Sequence, residues 1–543
     1  MATEQTKKNN NNFLIQGSIL AIAGILVRII GLAYRIPLVR IVGDEGMGYY
    51  SVAYEIYAII LLLSSYSLPL SVSKMVSAKL AGDDYLNANR IFKVSLIYAT
   101  IVGALCFAFL WFTADWFANV FYHLPLCKYA LISLAPTVWI MTYLGVMRGF
   151  YQGQSTMVPT AVSQILEQIV NALVSVGAAW WLCQMALNAA KGDSVASAWG
   201  AAGGTIGTGA GALTALIVLI ILYIRGRKEW NENVVRSENA GIKKESYKEI
   251  SKILFFTVIP VILSTAVYNI TNIVDAEIFT STMVEYFGNN ASSVAADWGV
   301  FTGKFKTLAN IPIAIANSLS SSLIPVMAAA AAAKNKKGVE DGISLALRYT
   351  VLISLPASVG LTILGGPIVS LLFGKSDLAT TMTLIGSFGV LFYSVSTVTN
   401  AVLQGNNYMR IPVINALIAL IVHVAVIFVL MRVFNMGIKA IVIGYMLFGL
   451  FMCILNSFAI TKKISYRADV SITYLKPLLC SIVMGAATIV IRLLLEKLTG
   501  SNFIITFGSI IVAVIVYVIM IIITGTITKK ELKRFPVIKR FIR

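Results

Sequence analysis

Residues 502–526 read NFIITFGSIIVAVIVYVIMIIITGT and contain no charged side chain. An α-helix needs about 20 apolar residues to cross a bilayer core of about 30 Å, so this stretch is long enough to span a membrane. Similar runs recur from residue 13 onward, and the 543-residue chain is 58% hydrophobic and 12% charged. The runs are continuous, whereas the strands of a membrane barrel alternate apolar and polar residues over about ten positions. The sequence therefore predicts an all-α polytopic membrane protein.

Polar breaks divide the apolar sequence into fourteen candidate transmembrane segments. They lie at residues 13–36, 47–72, 91–113, 129–150, 158–185, 198–224, 250–279, 297–328, 343–373, 380–404, 411–432, 437–461, 472–495 and 502–526. Several exceed 20 residues, which indicates that those helices are tilted or extend beyond the lipid.

The basic residues test this count, because Lys and Arg near membrane spans favour the cytoplasmic side. With fourteen spans and a cytoplasmic amino terminus, 30 of the 43 Lys and Arg lie in cytoplasmic segments, 7 lie in outside loops and 6 lie in the spans. A missed span would reverse the alternation after it. We therefore expect a multi-pass protein of the cell membrane with both termini in the cytoplasm. The net charge of +19 is explained by the basic residues that set the membrane topology. No nucleic-acid-binding motif accompanies this charge.

One long polar stretch, residues 225–252, interrupts the apolar pattern. It predicts an N-lobe of helices 1–6 at residues 1–224, a cytoplasmic linker at 225–252 and a C-lobe of helices 7–12 at 253–463. Helices 13 and 14 and a basic cytoplasmic tail would occupy 464–543. The linker is compatible with either an amphipathic surface helix or a solvated connector.

A weak internal repeat lies on the two sides of the linker. Residues 148–165 read RGFYQGQSTMVPTAVSQI and residues 400–417 read NAVLQGNNYMRIPVINAL. In both, a Gln-Gly pair is followed by Met and then Pro, and the two pairs are 252 positions apart. Chance similarity between two Gly/Pro turns is the alternative to a duplication. Parallel repeats of this kind place a substrate path between the halves, near the midplane of the membrane.

Helix 1 carries two arginines within LVRIIGLAYRIP, residues 26–37. A charge at the centre of a bilayer costs about 3 kcal/mol on insertion scales. Arg28 and Arg35 are seven residues apart and therefore project from nearly the same face of a helix, which favours a polar cavity. Gly31 would allow close backbone approach, and Pro37 would permit a bend. Alternatively, Arg35 extends to the interface and Arg28 pairs with Glu55.

Helix 8 adds Lys304 and Lys306, which are two residues apart and cannot share a helical face. We expect one of them to enter the cavity and the other to reach the outer interface. Arg348 and Arg492 lie near helix ends, where long basic side chains commonly extend toward the interface.

Few acidic residues lie within the spans. Glu55, Glu167 and Asp275 are candidates for binding a coupling ion or compensating the charge of the cations, and Glu277 lies beside Asp275. His423, in helix 11, is expected to have a structural role rather than to relay protons.

The candidate site residues favour transport of an anion over catalysis. Arginine binds phosphate and diphosphate oxygens through two parallel hydrogen bonds. The sequence contains no phosphate-binding loop motif, no zinc-ligand spacing and no Ser/His/Asp set, and its two histidines provide few general bases. We expect a transporter, not an enzyme, with no cofactor and no bound metal.

Three stretches carry a family resemblance: residues 17–79, the RGFYQG turn that begins at residue 148, and LANIPIAIANSLSSSLIPVMA at residues 308–328. The chain resembles the multidrug/oligosaccharidyl-lipid/polysaccharide (MOP) exporter superfamily over its whole length. It is most similar to the polysaccharide-exporter branch of Gram-positive bacteria, which includes stage V sporulation protein B and the MurJ-type lipid II flippases.

The resemblance implies two six-helix lobes and two extra helices that flank a groove for a lipid tail. It implies a flippase that moves an undecaprenyl-diphosphate-linked, lipid II-like cell-wall or polysaccharide precursor outward by alternating access. Its partners would be that lipid-linked oligosaccharide, membrane lipids and cell-wall synthesis enzymes. Arg28 and Arg35 would line the cavity. Ile36 replaces an acid of Gram-negative members, and Lys304 or Lys306 would substitute for their helix 8 arginine.

Two other functions are compatible with parts of the sequence. A drug-exporting MATE-type antiporter exchanges organic cations for Na⁺ or H⁺ and needs carboxylates in its N-lobe cavity, where helix 1 offers two arginines and no acid. A non-transporting scaffold for envelope synthesis would have no need of buried cations.

Overall fold

The computed structural model describes the backbone of residues 2–526. The side chains are described as well, except at residues 2–18, 21, 259–269, 321–322, 325–326, 329 and 332. Within this part of the chain the secondary structure consists of helices and their connections, without β-strands. The basic tail predicted after helix 14 lies outside the described residues from 527 onward.

The chain forms two compact units that divide between Gly299 and Val300. The helices of the first are α1 (Ala2–Leu61), α2 (Leu68–Leu80), α3 (Tyr85–Trp116), α4 (Lys128–Gly153), α5 (Val158–Asn188), α6 (Asp193–Asn239), α7 (Tyr247–Ser281) and α8 (Ala291–Gly299). Those of the second are α9 (Lys306–Ala332), α10 (Lys336–Phe373), α11 (Asp377–Gly386), α12 (Phe388–Gly405), α13 (Arg410–Arg432), α14 (Ile438–Ile464), α15 (Lys476–Leu498) and α16 (Asn502–Ile523). The lobe boundaries inferred from the sequence stay predictions.

Every predicted span lies on these helices. In the described part of the chain, ten helices are long and apolar enough to cross a membrane, and the pair α11–α12, bent by 48°, makes an eleventh. The first of the ten, Ile22–Leu80, contains residues 22–36 of the first predicted span and the whole of the second. The seventh and eighth spans fall on α7 and α9, whose side chains are described only in part. The all-α membrane fold is confirmed.

The connection between the first two spans differs from the prediction. Residues 37–46 were expected to form a loop, but the chain is helical on both sides of Gly43, which has φ 71° and ψ 179°. Pro37 lies within the helix, six residues before this break. A single glycine can make the break because it adopts positive φ without steric cost.

The first half of the predicted linker agrees with one of the two alternatives, an amphipathic helix, because its polar residues are mostly exposed and Trp230 and Ser237 are buried. Most of the linker is helix, since α6 continues to Asn239 and α7 begins at Tyr247. The Trp230 side chain is buried, with its ring centroid 4.8 Å from that of Phe150 and 5.5 Å from that of Tyr85. The first half of the linker therefore packs on the bundle instead of being solvated.

The second half of the linker bonds to the start of α3. Asn87 donates from Nδ2 to the carbonyl oxygen of Lys243 (3.0 Å), and its Oδ1 accepts from the backbone N–H of Glu245 (2.9 Å). The Glu245 carboxylate forms an ion pair with Lys79. These bonds fix the point at which α7 leaves the first six helices.

The internal repeat is visible in matching helix ends. Ser155 and Asn407, 252 positions apart, both have left-handed backbone conformations, with φ 59° and 65°. Their N–H groups donate to the carbonyl oxygens of Gln152 (3.0 Å) and Gln404 (3.1 Å), three residues earlier. The helices that follow, α5 and α13, also begin 252 positions apart.

A second pair of turns repeats at almost the same offset. Asp84 and Asn335, 251 positions apart, cap the N-termini of α3 and α10 by accepting from the N–H three residues later, at 2.9 and 3.0 Å. Each follows a left-handed residue, Asp83 (φ 53°) and Lys334 (φ 54°). Two matched turns at nearly one offset support the duplication over chance similarity.

Glycines set the contact between α5 and α6. Gly203, Gly207 and Gly211 recur every four residues on α6, and a Cβ at each would overlap backbone atoms of α5, including those of Ser175. Small residues at this spacing let two membrane helices approach backbone to backbone. The closeness of α5 and α6 therefore depends on this glycine row.

Prolines in α10 explain how α15 and α16 attach to it. Pro356 lacks an N–H, which leaves the carbonyl of Leu352, four residues earlier, without its helical donor. The Tyr517 hydroxyl of α16 donates to that oxygen at 2.9 Å. A carbonyl left unpaired in lipid would cost several kcal/mol, so the bond anchors α16.

Arg492 of α15 has the same role at the second proline. Pro367 frees the carbonyl of Ile363, which accepts from Arg492 Nη1 at 2.9 Å, while Nε of the same arginine pairs with Glu496 at 2.8 Å. Arg492, which is expected to extend toward the interface, thus also has a structural bond to α10. Arg348, for which we expected the same, donates to the backbone oxygen of Thr526.

Replacing Gly207 with valine is expected to lower the free energy of unfolding by about 1–3 kcal/mol, the usual cost of overpacking. The added atoms would push α6 away from the Ser175 backbone. Thermal unfolding of the purified protein in detergent would measure the loss. Gly177→Ala is the matched control on α5, because a Cβ there has no neighbour within 4 Å. Equal melting temperatures for the Gly207 variant and the parent protein would contradict the proposed packing.

Candidate functional site

The two arginines of helix 1 are arranged as their spacing predicts. The helix is continuous across residues 26–37, so Arg28 and Arg35 lie on the same side, about 10 Å apart along the axis. Arg28 is exposed and Arg35 is partly buried. The two guanidinium groups therefore share one face of α1 at different depths.

Helix α5 packs against α1 between these arginines. A Cβ at Gly31 would lie 3.2 Å from Nε2 of Gln168, closer than most Cβ contacts. This neighbour is a side-chain atom, so the close backbone approach expected at Gly31 stays a prediction. The contact places the polar side chain of Gln168 beside the arginine-bearing stretch of α1.

Glu167 of α5 forms an ion pair with Arg148 of α4. The Nη2–Oε2 distance is 2.5 Å, the two side chains are 12% and 20% exposed, and Arg148 Nε donates to Ser163 Oγ at 3.1 Å. Arg148 was counted with the cytoplasmic cations, but it lies within α4. The nearly buried pair cancels the charge of Glu167, which was a candidate for ion coupling.

Three tyrosines of α1 connect the arginines to this ion pair. The ring centroids of Tyr50 and Tyr54 are 5.7 Å apart, and those of Tyr54 and Tyr57 are 5.3 Å apart. Arg35 interacts electrostatically with Tyr50 and Tyr54, and Glu167 interacts with Tyr54 and Tyr57. We call Arg28, Arg35, these three tyrosines and the Arg148–Glu167 pair the N-terminal polar strip. Within this strip Arg28 and Tyr54 are exposed, and guanidinium and hydroxyl groups can hydrogen-bond phosphate or sugar oxygens.

Glu55 is associated with a different part of the first unit. It and Glu277 of α7 both lie within electrostatic range of Tyr122, in the connection between α3 and α4. Asp275, two residues before Glu277 and therefore on a different face of the same helix, is 3% exposed. The roles of Glu55 and Asp275 as coupling or charge-compensating groups stay predictions.

Backbone contacts join α1 and α8 at the predicted outer end of the first unit. A Cβ at Gly48 would overlap the backbone of Ala295, and a Cβ at Gly299 would overlap the carbonyl of Asp44. The two helices therefore meet without intervening side chains at these positions.

Two polar contacts lie at the same end. The hydroxyl oxygens of Ser194 and Ser292 are 3.3 Å apart. His123 Nε2 lies 3.4 Å from Glu285 Oε2. Together with the glycine contacts, they hold this end of the first unit closed.

Lys304 and Lys306 begin the second unit and have different surroundings. Residues Val300–Phe305 form a π-helical turn, a feature that is frequent at functional sites. Lys304 is 5% exposed, whereas Lys306 is partly exposed and its Nζ lies 4.9 Å from the ring centroid of Phe301. Which of the two enters a substrate cavity stays a prediction.

Other polar groups have structural partners. His423 is fully buried, and its Nδ1 lies 2.9 Å from the carbonyl oxygen of Gly444, as a structural role predicts. Among the residues that the structure describes, no group of three or more His, Cys, Asp and Glu side chains could hold a metal ion.

Sequence reasoning missed the Arg148–Glu167 pair, although a signal was present. Arg148 lies between one and two turns before the end of α4, and Glu167 lies between two and three turns after the start of α5. Antiparallel helices bring such positions together, so an arginine before the turn and an acid after it were candidates for pairing.

Comparison with known proteins relates this geometry to a family. The model of the family described as "Polysaccharide biosynthesis protein" matches residues 14–331, and the "MatE" model matches residues 260–429. Stage V sporulation protein B of Bacillus subtilis (strain 168) is 24% identical over 539 residues, covering 98% of this chain and 99% of that protein. Lipid II flippase MurJ of the same strain is 25% identical over 499 residues, covering 88% of each chain.

Solved structures share the fold. "Lipid II flippase MurJ, inward closed conformation" gives a TM-score of 0.65 at 15% identity, covering 92% of this chain and 97% of that chain. An inward-facing multidrug resistance MATE family transporter gives a TM-score of 0.65 at 16% identity, covering 82% of this chain and 98% of that chain. Since the first family model matches more than half of the sequence, the chain belongs to the polysaccharide biosynthesis protein family of the MOP exporter superfamily.

Proposed function

We propose that this protein is a flippase for an undecaprenyl-diphosphate-linked cell-wall or polysaccharide precursor, with a lipid II-like cargo. The observation that carries the proposal is the presence of Arg28 and Arg35 on one side of α1. Residues 13–37 contain these two cations and no acid. Their positive charge is complementary to a diphosphate, which arginine binds through paired hydrogen bonds.

The N-terminal polar strip favours an anionic cargo. Glu167, the acid of the strip, pairs with Arg148, and the other two charged residues of the strip, Arg28 and Arg35, are both cations. Of the three tyrosines, Tyr54 is exposed and the other two are buried. In this proposal, the arginines of α1 bind the head group and the Tyr54 hydroxyl bonds to the attached sugar.

The names of relatives support a cell-wall cargo. One is called a lipid II flippase and another a sporulation protein, and the fold is shared with transporters. These relatives fit a transporter rather than an enzyme. Cell-wall synthesis enzymes are proposed partners, since they would supply the precursor or consume it.

Alternating access is the proposed mechanism. The glycine contacts between α1 and α8 close the predicted outer end of the first unit, which would have to open for release. Such backbone contacts can separate as rigid bodies, because no interdigitated side chains have to repack at Gly48 and Gly299. In this proposal, Lys304 of the π-helical turn supplies a further cation to the cargo path.

The second candidate is a cation-coupled multidrug antiporter of the MATE type. The MatE model match at residues 260–429 and the MATE fold similarity favour it. The positive charge of the N-terminal polar strip opposes this function, because Arg28 and Arg35 would repel a cationic drug. A non-transporting scaffold is the third possibility, and transport activity of any kind would reject it.

The proposed topology is tested by reporter fusions in the turns of the structure. Because Lys and Arg concentrate on the cytoplasmic side, fusions after residues 190, 289 and 435 should report an outside location. Fusions after 241, 335 and 466 should report a cytoplasmic one. Alkaline phosphatase and fluorescent-protein activities provide the readout. A cytoplasmic signal at 289 would contradict the fourteen-span count, and a general inversion would contradict the orientation.

The cargo is tested through Arg28. In a strain depleted of its own lipid II flippase, wild-type protein should restore exposure of the lipid-linked precursor in the outer leaflet. Arg28→Ala should lower this exposure at least about ten-fold, since loss of a charge-assisted bond costs about 1.5–3 kcal/mol. Arg28→Lys should restore it poorly, because an ammonium group cannot form the paired bonds of a guanidinium.

Two controls separate the possible outcomes of that test. Arg225→Ala removes an exposed arginine of α6 that lies outside the N-terminal polar strip, and it should leave flipping unchanged. Membrane abundance should be equal for all variants. Full flipping by Arg28→Ala would exclude the proposed role of this arginine. Export of ethidium without any effect on the lipid precursor would favour the antiporter.

Opening of the outer end is tested by a disulfide. The Ser194 and Ser292 hydroxyls are close enough for Ser194→Cys and Ser292→Cys to form a disulfide when the native cysteines are replaced. Oxidation should stop flipping, and dithiothreitol should restore it. Each single substitution is the control. Quantitative disulfide formation with undiminished flipping would show that this end does not need to open.

A further inference from the structure

An apolar cavity of about 520 Å³ lies on the first unit, between α3, α4 and α6. Phe92, Leu96, Tyr143, Leu216 and Ile220 contribute to its wall. None of them belongs to the N-terminal polar strip, and α1 contributes nothing to the lining. The cavity is therefore separate from the proposed transport site.

The wall of this cavity presents carbon atoms almost throughout. The Tyr143 hydroxyl is already bonded to Thr100 Oγ1, at 2.6 Å. Ile220 is exposed, while Leu96 and Leu216 are half-buried. The cavity therefore opens on the surface that these apolar helices present to lipid.

One end of the cavity is positively charged. Lys93 lines it, and Arg227 lies one helical turn beyond the lining residue Tyr223, on the same face of α6. Both side chains are exposed. Neither forms an ion pair or hydrogen bond with another residue in the part of the chain that the structure describes.

Two neighbouring cations, in contrast, have partners within the protein. Lys79 pairs with Glu245. Arg90 donates from Nε to the Glu245 carbonyl oxygen at 2.8 Å, and its guanidinium lies 4.1 Å from the Tyr247 ring centroid. The linker thus occupies those two cations and leaves Lys93 and Arg227 available to a ligand.

We propose that this cavity binds an anionic phospholipid, with a segment of acyl chain against the apolar wall and the phosphate held by Lys93 and Arg227. Basic pockets between transmembrane helices on the cytoplasmic side bind anionic head groups, and the ends of α3 and α6 that carry these cations are on the predicted cytoplasmic side. An apolar cavity with one cationic end favours a lipid with a net negative charge over a zwitterionic one.

A bound lipid would contact α3, α4 and α6 together, and aromatic contacts connect this part of the bundle to the linker. Phe92, in the cavity wall, lies with its ring centroid 4.2 Å from that of Phe150, and Phe150 contacts Trp230 of the linker segment. Occupancy of the cavity should therefore stabilise the first unit against thermal unfolding.

The test is native mass spectrometry of the full chain in detergent, titrated with phosphatidylglycerol or with phosphatidylcholine of the same acyl chains. Wild-type protein should bind phosphatidylglycerol at least about ten-fold more tightly than phosphatidylcholine, given the usual contribution of each basic residue near an anionic lipid. Lys93→Ala combined with Arg227→Ala should remove this preference and leave phosphatidylcholine binding unchanged. Ile220→Trp should fill the cavity and weaken both.

The matched control is Arg225→Ala combined with Lys228→Ala, which removes two exposed cations from other faces of α6. It should keep the preference for phosphatidylglycerol. Equal affinity of wild-type protein for the two lipids, or an equal loss of preference in the control pair, would overturn the proposal.

A competition experiment with geranylgeranyl diphosphate completes the test. Displacement of phosphatidylglycerol by this probe, abolished by Ile220→Trp, would assign the cavity to an isoprenoid diphosphate instead. Melting temperatures without lipid establish that each variant is folded.

Discussion

The hydrocarbon core of a bilayer offers no hydrogen bonds, so every peptide group that enters it needs a partner within the protein. Continuous helices satisfy most of these groups. Where Pro356 and Pro367 remove a donor from α10, side chains of neighbouring helices replace it. Charges obey the same constraint, as the Arg148–Glu167 pair shows. The polar groups in the spans therefore indicate either a structural bond or a place where a ligand must be accommodated.

Much of the fold could be predicted because its signals are local. The length of each apolar run predicts a span, and the alternation of basic residues is the basis of the predicted count of fourteen. The common face of Arg28 and Arg35 follows from helical periodicity alone, as does the separation of Lys304 from Lys306. The repeat was detectable from a few residues at helix ends. The turn at Ser155 shows the reason, because the backbone hydrogen bonds of such a turn restrict which residues can occupy it.

The features that were missed depend on contacts between distant segments. Nothing in the apolar pattern of residues 37–46 reveals that only Gly43 leaves the helical conformation. A polar stretch looks like a solvated linker until the aromatic partners of Trp230 are known. The pairing of Glu167 depends on how α4 and α5 are aligned. The glycine row of α6 is different, since a spacing of four was visible in the sequence.

The two prolines of α10 also constrain how this protein can change over evolutionary time. Their carbonyls are satisfied by Tyr517 and Arg492, which belong to the last two helices. A gene that lost those helices would leave two peptide groups of a core helix facing lipid. Deletion would be better tolerated if both prolines were replaced at nearly the same time. The chemistry of α10 thus favours retention of the terminal helix pair, independently of any contribution that it makes to carrying cargo.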